Sequence, residues 1–181
     1  MDLIITNAHI VTRDDMMKGT VCVSDGIIQE INEEKTKIPD ALDFEGDLLL
    51  PGLIEMHTDN LEKHLIPRPG ILWPSPTAAL LSHDNQISGA GITTVLDPVF
   101  IGEYHKGGMR RQILKSFILN QRLGFSIPDA VAKVSANPAD LLGLDDRGEI
   151  QVGKRADMIR VRLFDQLPVI IAIWRNGEKL R

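Results

Sequence analysis

Residues 48 to 60 read "LLLPGLIEMHTDN", a hydrophobic run set directly against His57, Asp59 and the amide of Asn60. Pro51-Gly52 punctuates the run, so a segment boundary falls between the strand ending at Leu50 and the "LIEMH" that follows. At about ten residues the run lies well below the roughly 20 that a spanning helix needs, and "LPVIIAIW" near the other end of the chain is no longer. A soluble globular fold is therefore expected, with potential ligands placed at the end of one of its buried elements.

The 181 residues are 43% apolar, enough to build a core in one ordinary domain or two small ones. A formal net charge of −5 leaves no basic excess, so neither nucleic acid nor an anionic membrane is expected as a partner. Small molecules remain the default. The single cysteine, Cys22, lies in the alternating run "VCVSDG" and reads as a small buried strand residue that suits a reducing cytoplasm. "MDLIITNAHIVTRDD" lacks the basic-then-apolar pattern of a cleaved signal peptide, and a cytoplasmic location is expected.

The first fifty residues read as short strands in an antiparallel sheet. "LIITNAHIVT" alternates, and "TVCVSDGIIQEI" holds two β-rich runs about Asp25-Gly26, a pair suited to a tight hairpin turn. "ALDFEGDLLL" adds a further strand pair or a strand bent at Gly46. The period then changes. Ser75 to Ala90 is helical and stops at Gly91, "GITTVLDPVF" is a buried strand ended by Pro98, and "MRRQILKSFILNQRLG" has Ile113, Leu114, Phe117, Ile118 and Leu123 at helical spacing. Ser126 and Asp129 form a short capping box, and Asn137-Pro138 opens another helix with proline at its first position. From Gly148 onward β character returns, and Asn176-Gly177 marks a second hairpin.

An imidazole and a carboxylate two residues apart on a strand share a face, because strand side chains alternate; His57 and Asp59 could then reach one cation such as zinc, manganese, iron or nickel. Two ligands fall short of the three protein ligands usual in a catalytic zinc site. A histidine capped by neighbouring backbone, with Asp59 and Asn60 in a turn, is the structural alternative. His83 and Asp84 sit in the helical stretch, either on a solvated face or in a site. His105, Lys106, Arg110 and Arg111 lie near glycines but lack phosphate-loop spacing. Arg68, in the rigid "IPRPG", either clamps an anion or covers surface.

The order of these pieces resembles the amidohydrolase superfamily. "IITNAHIV" and "VCVSDGIIQEI" lead through "LLLPGLIEMHTDN", and "SANPADLLGLDDRGEIQVGKRADMIRV" follows far downstream. "HTDN", "PRP", "WP", "SHD" and "GITTVLD" in that order resemble its phosphonate-metabolism branch, which releases diphosphate from ribose 1-methylphosphonate 5-triphosphate. The resemblance implies a metal-dependent hydrolase in which a bound divalent ion, zinc or similar, activates water and His57 and Asp59 are the first metal-ligand positions. It assigns Arg68, His83 and Asp84 to holding a phosphorylated small-molecule substrate.

A complete barrel of this family takes about 250 residues, whereas only about ninety lie between Leu53 and the return to β character. The expected fold is therefore α/β: a composite small β-sandwich domain built from residues 1–52 and 148–181, plus an incomplete TIM-barrel-like remnant over residues 53–147. The family's bridging carboxylate or carboxylated lysine, two later histidines and last-strand aspartate match no residue here. Exposed barrel edges predict a homo-oligomer, in which His64, His83 or His105 of a second chain completes the site. The competing reading is a noncatalytic remnant that serves as a binding or structural module.

Overall fold

The computed structural model describes residues 2–58, 60–65, 68, 76–96, 126–165 and 167–180. The architecture is mixed α/β and dominated by one sheet. Its strands are β1 (Leu3–Val11), β2 (Met16–Ser24), β3 (Ile27–Asn32), β4 (Leu42–Asp43), β5 (Leu48–Pro51), β8 (Met158–Phe164), β9 (Leu167–Arg175) and β10 (Glu178–Lys179). They lie in the order β10-β9-β8-β5-β1-β2-β3, with β4 also paired to β1.

The expectation of a purely antiparallel opening is corrected. β4 and β5 do not pair with each other; both run parallel to β1, at Ile5–Thr6 and at His9–Ile10 respectively. The break between them follows from β1 itself, whose register shifts between Ile5 and Ala8 at Asn7, held at φ 55°. The Asn7 side-chain amide donates to Asp43 Oδ1 at 2.7 Å, which anchors β4 beside that irregularity. β5 then pairs antiparallel with β8, Leu48 opposite Val161 and Pro51 opposite Met158, so strands from both ends of the chain meet in one sheet.

The three leucines of β5 show why that run is wholly apolar. Leu49 joins a core with Ile5, Ile10, Phe44, Met158 and Trp174, while Leu48 and Leu50 join another with Leu53, Ile92, Val131, Ile159 and Ile173. A strand buried on both faces has no solvent side and so loses the alternation that an exposed strand keeps. The fully buried Phe44 and Trp174 rings stack in the first core with centroids 5.7 Å apart.

The second core lies between the large sheet and a strand–helix–strand unit. β6 (Leu53–Glu55) and β7 (Ile92–Val95) pair in parallel, and α1 (Asn60–Leu65) and α2 (Pro76–Gly89) lie in the connection between them. Gly52 sets the approach of the two parts. Its amide donates to Asp157 O at 2.7 Å, and a β-carbon there would lie 2.2 Å from Thr93 Oγ1. α3 (Ile127–Ala132) and α4 (Ala136–Leu142) follow, and β6 is tied to the segment joining them by Ile54 N donating to Val134 O at 3.0 Å.

The capping reading at Ser126 matches this geometry, since its hydroxyl accepts from Asp129 N at 3.2 Å. Two boundaries differ from expectation. α4 begins at Ala136, so Pro138 is its third residue, still among the early positions whose amides have no intrahelical acceptor. Residues 148–157 form turns rather than strand, with an isolated β-bridge between Ile27 and Arg155 among their hydrogen bonds to the sheet. The helix expected over residues 109–124 lies outside the described residues.

Candidate functional site

His57 stands just past the carboxyl end of β6, the end at which open α/β sheets and barrels place their ligands. The geometry there corrects one premise. β6 ends at Glu55, so the period-two argument for a shared face does not extend to residue 57. The strand stops because local side chains satisfy the backbone: Glu55 Oε1 accepts from His57 N at 3.2 Å, and Thr58 Oγ1 accepts from Asn60 N at 3.2 Å. The second contact is a Thr turn that starts α1. Thr58 and Asn60 are buried, whereas His57 is exposed. Asn60 Oδ1 accepts in turn from Lys63 Nζ at 3.1 Å. Asp59 lies outside the described residues, as do His105, Lys106, Arg110 and Arg111.

The other candidates go to different places. His83, only 5% exposed, faces the His64 ring edge-on with centroids 5.7 Å apart, so this pair packs α2 on α1. His64 is also held by Gln86 of the same helix α2, Nε2 to Oε1 at 2.8 Å. Asp84 points instead to the sheet, where its Oδ1 lies 3.6 Å from an Arg175 guanidinium nitrogen of β9. Arg68 is exposed. Adjacent residues on a helix diverge by about 100°, which is why "SHD" sends its histidine and its aspartate to separate partners.

A cation beside the parallel pair escaped the sequence reading. Arg147 donates to Thr94 Oγ1 on β7 at 3.3 Å and to both carboxylate oxygens of Asp146, at 2.7 and 2.8 Å. The hydrogen bond from Arg147 holds the Asp146 carboxyl below its ordinary range, and the same bond raises the guanidinium's own pKa. Only the clustered charges of "LDDRGE" hint at it in the sequence.

The "GKRAD" signature is structural. Gly153 N donates to Ile28 O at 2.8 Å, Ile28 N to Lys154 O at 2.9 Å, and Ala156 N to Gly26 O at 2.7 Å. The buried Asp157 carboxylate accepts from Arg155 Nε at 2.9 Å and from Asn176 N at 2.8 Å. These five residues thus lace the β2–β3 hairpin to the β9–β10 turn.

An imidazole with a carboxylate suits zinc and similar ions in kind. Among the described residues, however, no three His, Cys, Asp or Glu side chains gather as a cation would need. The donors fit in type and fall short in number. Among the same residues no helix is long and apolar enough to cross a membrane.

Comparison with known proteins places this geometry in a family. Residues 77–180 match the model of the amidohydrolase family. Over 116 residues the chain is 44% identical to the alpha-D-ribose 1-methylphosphonate 5-triphosphate diphosphatase of Escherichia coli, a match covering 64% of this chain and 30% of that protein. The chain thus spans about a third of the length of that relative. An amidohydrolase from Thermotoga maritima superposes with a TM-score of 0.68 at 12% identity, covering 99% of each chain. An adenosine deaminase from Xanthomonas campestris with bound zinc gives 0.69 at 11% identity, covering 98% of this chain and 92% of that one. At such low identities these two likenesses speak for the fold alone. The family match covers more than half of the chain, and the chain belongs to the amidohydrolase family.

Proposed function

We propose that the chain carries the opening of a metal-dependent hydrolase site of the phosphonate-metabolism type, acting on a ribose 1-methylphosphonate 5-triphosphate-like substrate with release of diphosphate. The observation that supports this reading is the 44% identity to the E. coli diphosphatase, together with His57 standing at the carboxyl end of β6. In this reading residues 1–52 and 148–181 form a composite β domain, and residues 53–147 are a shortened barrel segment. His57 and Asp59 begin the ligand set for a divalent ion, whose chemistry when bound is to lower the pKa of water. Arg68, His83 and Asp84 belong to the substrate-holding side. Because the described donors number fewer than three, the remaining ligands come from other residues or from a neighbouring chain, and no catalytic step is assigned to the described residues.

The second reading, a noncatalytic binding or structural module, is favoured by one observation: His83 and Asp84 are engaged by His64 and Arg175 rather than converging on His57. One experiment separates the two. Metal content per chain is measured by elemental mass spectrometry on fresh protein and after reconstitution, beside His57→Ala. A near-stoichiometric ion lost in the variant, with diphosphate release that is also lost, supports the hydrolase. No ion under either condition, and no turnover of phosphoanhydride or cyclic-amide substrates, supports the module.

A further inference from the structure

Asn176-Gly177 forms the turn between β9 and β10, and Asn176 is the one asparagine of the chain that a glycine follows. The pair carries chemistry as well as turn geometry. The backbone nitrogen of the next residue can attack the asparagine Cγ and close a succinimide ring, and glycine, with no β-carbon, hinders that approach least. This is why asparagine counts among the thermolabile residues.

Asn176 is exposed, so water reaches it freely; what the fold restrains is the attacking nitrogen. Ring closure swings the Gly177 amide toward Cγ, yet Gly177 N donates to Ala156 O at 2.9 Å. Ala156 clamps both turns at once, since its own amide donates to Gly26 O at 2.7 Å. Asn176 N is held in turn by the Asp157 carboxylate at 2.8 Å, and Glu178 pairs with Arg175 across the turn. Asn176 and Gly177 both keep the positive φ, 54° and 78°, that such a turn requires. The nitrogen is therefore freed by lifting the β9–β10 turn from the β2–β3 turn.

We propose that Asn176 is a self-modification site gated by this seam between the two ends of the chain. When the seam opens, the Gly177 nitrogen loses its proton, bonds to Asn176 Cγ and expels ammonia. Water then opens the succinimide. Cleavage of the new bond between nitrogen and Cγ gives aspartate at position 176, and cleavage between that nitrogen and the main-chain carbonyl carbon gives isoaspartate. One water is consumed, one ammonia is released, and nothing is oxidised or reduced.

Either product adds a carboxylate near that of Asp157, and isoaspartate lengthens the main chain of the turn by one carbon. A β-carbon on Gly26 would already meet Asn176 Oδ1 at 2.5 Å, so the altered turn has no room to reseat unchanged. Modification thus favours the open seam that admitted it. This chemistry is independent of the proposed hydrolase activity.

Hydrogen exchange at the Gly177 amide and ring closure by its nitrogen both require the same N–H to leave Ala156 and give up its proton, so the two rates share one opening equilibrium. The full chain is incubated in mildly alkaline buffer at physiological temperature. Peptide mapping by mass spectrometry reads the replacement of NH2 by OH at position 176, and exchange at Gly177 is followed alongside. Conversion is expected in the urea-unfolded chain and is expected to be at least about a hundredfold slower in the folded one. Gly26→Ala, which forces the two turns apart, is expected to raise conversion and Gly177 exchange by a common factor of about ten or more. Should Gly26→Ala fail to fold, the wild type in graded urea below its unfolding transition provides the second measurement, with both rates expected to rise in proportion. No conversion in the unfolded chain, equally fast conversion in the folded one, or conversion that does not follow Gly177 exchange overturns the proposal.

Discussion

Gly26 and Gly177, from opposite ends of the chain, meet back to back: a β-carbon added at Gly177 would lie 3.1 Å from Gly26 Cα. Both have positive φ, 74° and 78°, and each is the second residue of a tight hairpin turn after Asp25 and Asn176. Gly26 is the more confined, since its added β-carbon would sit 2.5 Å from Asn176 Oδ1 and 2.7 Å from Asn176 O. Gly26→Ala is expected to destabilise by about 2–3 kcal/mol and Gly177→Ala by about 1–2 kcal/mol. The double variant is expected to lose measurably less than the sum, because one separation of the two turns relieves both added clashes. Urea unfolding of all three variants checks this, and strict additivity would count against the back-to-back contact.

Asp47 is the buried carboxylate on which two arginines converge. It accepts from Arg160 Nε and Arg162 Nε, at 2.5 and 2.7 Å, and the Arg160 guanidinium lies over the Phe44 ring at 4.7 Å. Burial alone would push this carboxyl up, but the hydrogen bonds and charges of the two arginines outweigh it and hold the pKa below the ordinary value. Between that depressed value and the unfolded value near 4, the unfolded chain binds more protons, so stability is present above about pH 4 and is lost as the pH falls through the folded pKa. Asp47→Asn is expected to destabilise by about 2–4 kcal/mol at neutral pH, by leaving the buried Arg160 with only the more distant, exposed Glu45 carboxylate as counter-charge. It is also expected to flatten, without abolishing, the acid limb, since Asp43, Asp140 and Asp146 are depressed as well. Thermal midpoints from pH 2.5 to 7 check both effects; an acid limb identical to that of the wild type would remove Asp47 from its cause.

Removal of residues 152–181 takes away β8 to β10 and all of "GKRAD". β5 then loses β8 and keeps only its pairing with β1, and Leu49 loses Met158 and Trp174 from its core. Amides of β1 and β5 are expected to lose their protection from hydrogen exchange in the truncated chain. Persistence of that protection would mean that the first fifty residues fold without the last thirty.

Gly52→Ala tests how closely β6 must approach β7. Its β-carbon would meet three side-chain atoms of Thr93 at 2.2 to 2.8 Å, so the strand pair has to shift. A loss of about 1–3 kcal/mol is expected, with faster exchange at the β6 and β7 amides than at β1. Equal acceleration in both places would show a global rather than a local effect.

Much of this was legible along the chain, because it is local. Asp25-Gly26 and Asn176-Gly177 require left-handed backbone at their turns, Ser126 and Asp129 cap a helix within four residues, and the helix of residues 76–89 stops just before Gly91, whose positive φ no distant partner is needed to explain. The family resemblance was legible for a related reason: "GKRAD" is a compact run whose five residues satisfy the backbone of two hairpins. The parallel pairing of β4 and β5 with β1 was not legible. It hangs on an irregularity at Asn7 and a contact to Asp43, 36 residues away. Nor were the end of β6 before His57 or the turning of Asp84 toward Arg175, because both depend on which neighbour satisfies a polar group.

The sequence by itself determined the helix of residues 76–89, the two hairpin turns, the boundary at Pro51-Gly52 and membership of the amidohydrolase family. All of these rest on backbone preferences and short motifs that act over a few residues. Only the tertiary structure decided that β5 is the strand that pairs with β8, that β5 is buried on both faces, and that His83 packs on His64. Those outcomes depend on burial and hydrogen-bond satisfaction between residues far apart in the chain, where many pairings are compatible with the same local pattern and packing selects one.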